Sequence, residues 1–445
     1  METSIGNGTT NAELLQWVRD ARQFTFSLVE DLSPQQLIGQ KKESVNPTLW
    51  HMGHIGWFQE NWVLRHRHGA APIRPKVDEL FDSFEVPHVI RWELELPKRS
   101  TMVAYLREVE AQVLEQLEEK EAPENTYFNS LAVFHEDMHD EAIVNDHQTL
   151  RFPPPPPVVR TAAEELAASQ KAAEATALNE DVEVPGADAF MLGATPDIPF
   201  VFDNEKWAHP VKVKPFRIAR AAVTNAEFAE FVDDRGYEKP KLWSIAGNVW
   251  LAKSRARHPV YWRRQSGRGW YQRDFDHWRP LKENHPLVHV NWFEAEAYCN
   301  WAGRRLPREA EWEMAAAAEP GRHGGIRKEK RPYPWGQEKP TGELANLNND
   351  HKGTIGVADL PAGESAFGCR QMLGNVWEWT ADSFYPYPGF VLDPYKEYSA
   401  PWFGYHKVLR GGSWVTRARL IRNTWRNYFL PDRGDIPAGF RTCAK

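Results

Sequence analysis

Two histidines four residues apart, in His135-Glu136-Asp137-Met138-His139, stand out as side chains able to do chemistry. On a helix, positions four apart lie on one face, so both imidazoles can reach a single ion. Histidine is the commonest transition-metal ligand, and a pair alone leaves coordination incomplete. A second histidine-bearing stretch, Trp50-His51-Met52-Gly53-His54-Ile55-Gly56, offers His51 or His54 as a third ligand. The plain alternative is that all four are polar residues of helix surfaces. The first stretch also fits HExxH, in which Glu136 would be the base of a zinc hydrolase. The extended form of that pattern needs glycine and histidine further on, where Ala142 and Asn145 stand. A hydrolase is therefore the lesser reading.

These residues need elements that bring them together. Thr10 and Asn11 can cap a helix through Leu15, Val18, Phe24, Phe26 and Leu28. A second opens near Asn46-Pro47 and carries Leu49, Trp50, Ile55, Trp57, Phe58, Trp62, Val63 and Leu64. A third spans 100–119 with Val103, Leu106, Val109, Val113 and Leu117 on one face; a fourth starts at Asn125 and holds both metal-type histidines. Four such helices predict a bundle, whose metal sites form between facing helices. Residues 68–98 read as a loop.

Five consecutive prolines, Pro153–Pro157, cannot continue a helix and favour an extended run. An Ala/Glu-rich stretch, Thr161 to Leu178, follows as a short exposed helix or linker. The expected organisation is a bundle over 1–150, a linker over 151–184 and a second domain over 185–445. In the last, short β-like runs (Val211–Val213, Val288–Val290, Val408–Leu409) alternate with turns, and helices stand out at Asn225–Val232 and Trp292–Ala302. The fold class is thus multidomain, α followed by α+β.

Composition narrows the function classes. The chain has 445 residues, 42% of them hydrophobic, and a net charge of −7. A mildly acidic surface gains nothing from counterion release on a polyanion, so nucleic acid is not an expected partner. No apolar run is long enough to span a bilayer, and Met1–Ser4 open no secretory signal, so no membrane partner is expected. Three cysteines, Cys299, Cys369 and Cys443, are too few for a disulfide framework, and a reducing cytoplasm is the expected location.

The second half carries recognisable text. Gly303-Arg304-Arg305-Leu306-Pro307-Arg308-Glu309-Ala310-Glu311-Trp312-Glu313, Tyr333-Pro334-Trp335-Gly336, Gly374-Asn375-Val376-Trp377-Glu378-Trp379, Arg410-Gly411-Gly412-Ser413-Trp414 and Ala438-Gly439-Phe440-Arg441 occur in that order. They are similar to the signature of the formylglycine-generating-enzyme (sulfatase-modifying factor) fold, a variant of the C-type-lectin-like architecture. The motifs speak for the fold and not the chemistry. Formylglycine generation itself needs a cysteine pair in a segment that reads Arg422-Asn423-Thr424-Trp425-Arg426-Asn427-Tyr428-Phe429 here, without cysteine.

A DinB-like four-helix bundle joined to this fold resembles the ergothioneine-biosynthesis sulfoxide synthases and their relatives in ovothiol and selenoneine synthesis. The resemblance implies an oxidoreductase with a non-heme Fe(II) held by three histidines; His54 matches the first ligand motif better than His51, and His135 and His139 match the others. It implies O2-dependent joining of a thiol or selenol donor to the imidazole C2 of hercynine, at a site between the two domains. Tyr395 matches the segment of a proton-donating tyrosine, although a packed loop aromatic is its plain reading. Asn427 and Tyr428 match positions that contact hercynine, where an aromatic face suits a quaternary ammonium.

The departures fall on the donor side. Phe429 replaces an aspartate of the γ-glutamylcysteine-using branch, while Arg433 keeps an arginine four residues later. Met138 stands where a glutamine precedes the last iron ligand. The loop Asp82 to Trp92 also differs, with His88 and Arg91 as potential donor contacts. Phenylalanine cannot pair with a donor's amino group. The expected donor is therefore not γ-glutamylcysteine, and a selenosugar or cysteine is favoured. Remaining alternatives are the zinc hydrolase, a non-catalytic lectin-like binding module and a DinB-type thiol transferase.

Overall fold

A computed structural model describes residues 9–66, 69–119, 123–174 and 176–445; the side chains of 123–125 and 173–174 lie outside that description, as do Met1–Ser4. Two compact units emerge, one of residues 1–159 with 196–200, the other of 160–195 with 201–445.

The first unit is helical. Helix α1 (Asn11–Val29) starts where a capping box is written: the Thr10 hydroxyl accepts from the Glu13 N–H, and the Glu13 carboxylate accepts from the Thr10 N–H. Short α2 (Pro34–Ile38) leads to α3 (Thr48–Gln59), buried along its whole length, which continues as a π-helical turn over Glu60–Arg65. Within the stretch expected to be loop, α4 (Val77–Phe81) forms and a 3-10 turn covers His88–Ile90. Helices α5 (Arg99–Glu119) and α6 (Pro123–Leu150) complete the bundle, α1 packing on α5 and α6 and α3 on both as well. Arg151 takes a left-handed φ of 60°, and the prolines from Pro153 onward prevent α6 from continuing.

The second unit is loop-rich α+β. It opens with α7 (Ala162–Glu174), the Ala/Glu-rich stretch, followed by β1 (Asp181–Val184), β2 (Ala187–Leu192), β3 (His209–Val213) and β4 (Phe216–Ala219). Helices α8 (Asn225–Asp233) and α9 (Ile245–Ser254) precede the hairpin β5 (Trp262–Gln265), β6 (Gly269–Asp274) and β7 (His277–Pro280). Then come α10 (Trp292–Trp301), β8 (Arg304–Arg305), α11 (Glu309–Ala317), β9 (Trp377–Ser383), β10 (Lys407–Arg410), β11 (Asn427–Phe429), β12 (Ala438–Gly439) and β13 (Cys443–Ala444). One sheet runs β1-β4-β13-β8 and another β11-β10-β9-β12, in which only β12 lies parallel to its neighbour.

The recognisable motifs build this core. Trp312, Trp379, Arg410 and Arg441 are each 0% exposed. Arg410 donates to Glu309 and Glu313, Arg426 to Glu309, and Arg441 to both oxygens of Glu378. Each buried cation therefore has its counter-charge. Val288–Val290 is not a strand: His289 between them has a φ of 62°, which breaks an extended run. No described helix is long and apolar enough to cross a membrane.

Candidate metal centre and substrate wall

Helix α3 presents His54 toward α6, and α6 presents His135 and His139 one turn apart. Their ligand atoms all lie within 4.8 Å of one another, and His54 Nε2 is 3.2 Å from His135 Nε2. Adjacent nitrogens bound to one ion at about 2.1 Å stand roughly 3 Å apart, so this spacing suits a common metal. His54 and His135 are buried and His139 is partly exposed.

The rings are held by their surroundings. The His54 Nδ1–H donates to the Phe81 carbonyl at 2.7 Å, which leaves Nε2 with its lone pair for a metal. Trp50 stacks on one side of the His54 ring at 4.7 Å and Phe58 stacks on His135 at 3.6 Å. Gly53 makes the Phe81 contact feasible, since a Cβ there would sit 2.1 Å from the Phe81 ring. Burial, opposed by the Phe81 carbonyl, pushes the His54 imidazole down to about 3. Desolvation and the neighbouring imidazoles hold His135 and His139 well below their ordinary value. Three neutral imidazoles with no carboxylate among them form a donor set that fits a divalent transition metal.

Glu136 faces elsewhere. It is 1% exposed and accepts from Arg22 Nε at 2.8 Å and from the Thr25 hydroxyl at 2.8 Å, while Arg22 also donates to Gln59 and to the Leu106 carbonyl. The HExxH glutamate is thus a bundle ion pair. Met138 lies beside His139 on α6 and is half-buried. Arg91 is 8% exposed, and its guanidinium lies 3.6 Å over the Trp50 ring. It donates to Asn46 and to the Val86 and Ser83 carbonyls. His88 donates its Nε2–H to the Val45 carbonyl, 2.6 Å away.

The remaining expected site residues belong to the second unit. Asn427, Tyr428 and Phe429 form β11, and the Asn427 side-chain oxygen accepts from the Tyr428 N–H. The Tyr428 ring stacks on Phe384 at 4.1 Å and meets Tyr398 and His406 edge-on. Tyr395 lies in a loop with its ring 6.1 Å from Tyr398. Burial raises the Tyr428 hydroxyl well above its ordinary value. Arg433 is held by Asp435 at 2.6 and 2.8 Å and lies 5.1 Å over the Phe429 ring. The structure therefore groups Tyr395, Tyr398 and Tyr428 as one aromatic wall, and Phe429 with Arg433 beside it. Sequence reasoning missed Tyr398, Phe384 and the Phe81 carbonyl, because aromatic and backbone groups carry no distinctive local pattern.

Similarity to known proteins gives the same two-part organisation of the chain. Residues 17–177 match the DinB superfamily, and residues 167–445 match the sulfatase-modifying factor enzyme 1-like domain. The hercynine oxygenase of Mycolicibacterium smegmatis is 37% identical over 429 residues, covering 95% of this chain and 96% of that protein. The chain belongs to the hercynine oxygenase family. Another member, from Mycobacterium tuberculosis, is also 37% identical, over 97% of this chain and 99% of its own length. The formylglycine-generating enzyme of Streptomyces coelicolor matches at 33% identity over 61% of this chain and 91% of its own. The resemblance read from the motifs to this family, and the bundle-plus-sulfatase-modifying-factor fold, both hold.

Proposed function

We propose that the protein joins a sulfur or selenium donor to the imidazole C2 of hercynine, using O2 and an Fe(II) held by His54, His135 and His139. The observation that carries this reading is the convergence of three neutral imidazoles in a chain whose hercynine oxygenase relatives match it nearly end to end. When bound, iron supplies a centre at which O2 and the donor meet and O2 accepts electrons. For a thiol donor the balance is one C2–H and one S–H consumed with O2, giving a C–S bond, one S=O oxygen and one water.

The chain's residues orient and protect this chemistry. Tyr428, with Phe384 and Tyr398 around it, offers aromatic faces to the trimethylammonium group. Asn427 hydrogen-bonds the substrate, and Tyr395 gives up a proton from its hydroxyl. Phe429 and Arg433 of the second unit, and Met138 and Arg91 of the first, are the residues we assign to substrate binding. Arg91 would exchange one of its carbonyl partners for an anionic group of the donor. With no carboxylate at position 429 to hold an amino group, γ-glutamylcysteine is disfavoured and a selenosugar or cysteine preferred. The hydrolase reading loses its base, because Glu136 is neutralised by Arg22. A cytoplasmic enzyme acting on small molecules is the setting we assign.

Offering cysteine, γ-glutamylcysteine and a selenosugar together to Fe(II)-loaded protein with hercynine and O2 tests the donor. Mass spectrometry should show one hercynine adduct, from cysteine or the selenosugar. Dominant use of γ-glutamylcysteine would overturn the donor assignment.

A further inference from the structure

His51 sits one turn before His54 on α3 and is 2% exposed, yet it is not among the three converging ligands. Its Nδ1 lies 2.8 Å from His139 Nδ1, and its Nε2 lies 3.2 Å from Asp146 Oδ2. Asp146, two turns beyond His139 on α6, also accepts from the Asn46 backbone N–H at 3.4 Å. A buried histidine between a carboxylate and another histidine needs an explanation beyond packing.

Proton placement along this chain is constrained. The ionised Asp146 carboxylate only accepts, so His51 Nε2 carries the hydrogen. A neutral His51 then has its lone pair on Nδ1, and the short contact requires the hydrogen to be on His139 Nδ1. That tautomer leaves the lone pair of His139 on Nε2. The Phe81 carbonyl imposes the same tautomer on His54 from the other side.

We infer that His51 is a positioning residue which, anchored by Asp146, fixes the tautomer and ring orientation of His139 for metal binding. The inference rests on the three-histidine reading above and assigns the fourth histidine a place behind the ligands. Outer partners of this kind orient a ligating imidazole and raise its basicity, and their loss costs roughly 10–100-fold in metal affinity.

The test is a Co(II) titration of the full-length metal-free protein, followed by visible absorption, with thermal melts to establish folding. His51→Leu should bind Co(II) roughly 10–100-fold more weakly, with an altered d–d band. His51→Gln, whose amide oxygen can accept from His139 Nδ1–H, should restore most of both. Wild-type affinity and spectrum in His51→Leu would overturn the inference while leaving the three-histidine site standing. So would equal impairment of the Leu and Gln variants, which is the mark of a packing role. Failure of the wild-type protein to bind Co(II) would remove the metal reading and this inference together.

Discussion

Helix α6 carries two buried polar clusters that have little in common. On one face His135 and His139 meet His54, all three imidazoles held neutral, with no carboxylate among the converging ligands. About 100° round the helix, Glu136 meets Arg22, and Thr25, Gln59 and the Leu106 carbonyl complete the hydrogen bonding. The second cluster spends its charge and hydrogen bonds internally, which is how a bundle tolerates buried ions. The first gathers three imidazole nitrogens within 4.8 Å of one another. Adjacent residues of one motif thus do opposite jobs, and burial alone does not tell a site from a strut.

A series of substitutions breaks or sharpens this contrast. The largest effect belongs to the ligands: His135→Ala or His139→Ala should abolish stoichiometric metal, measured by elemental analysis, while the fold persists. Glu136→Ala should reverse that pattern. It strands the Arg22 guanidinium, and urea unfolding should show a loss of about 3–5 kcal/mol, with metal retained by the folded fraction. Adding Arg22→Met to Glu136→Leu should recover much of that loss, because an apolar pair needs no counter-charge.

Gly53→Ala is expected to be milder. Its new Cβ would collide with the Phe81 ring, costing about 1–3 kcal/mol in denaturant unfolding and weakening metal binding through the displaced Phe81 carbonyl. The smallest effect calibrates a buried histidine outside both clusters. Burial, with Lys282 and Arg160 nearby, lowers His285 to about 3. Its folded value lies below its unfolded one, so its contribution is complete above about pH 6.5 and is lost as pH falls toward 3. His285→Gln should flatten the stability profile within that window and leave it unchanged above.

Much of this was legible in the residues. The four bundle helices follow from their apolar spacing and the Thr10 cap, and the HExxH spacing flagged α6. The motif run from Gly303 to Arg441 announced the second unit's fold, although its own periodicity is weak. Its α11 helix was not picked out: Glu309, Glu311 and Glu313 interrupt any apolar spacing there, yet all three are buried. The short extended run at Val288–Val290 misled because one left-handed residue, His289, is invisible to β propensity. The choice between His51 and His54 needed the family pattern. What the histidine left over does depended on Asp146, nearly a hundred residues away in the chain.

The account turns on iron-dependent chemistry at His54, His135 and His139. The most direct measurement compares metal-free protein reconstituted with Fe(II) or with Zn(II), each given hercynine, donor and O2 and read by mass spectrometry. The prediction is a hercynine C2 adduct from the Fe(II) protein only, dependent on O2 and lost in His139→Ala. No adduct from the Fe(II) protein, or hydrolytic turnover by the Zn(II) protein without O2, would contradict it.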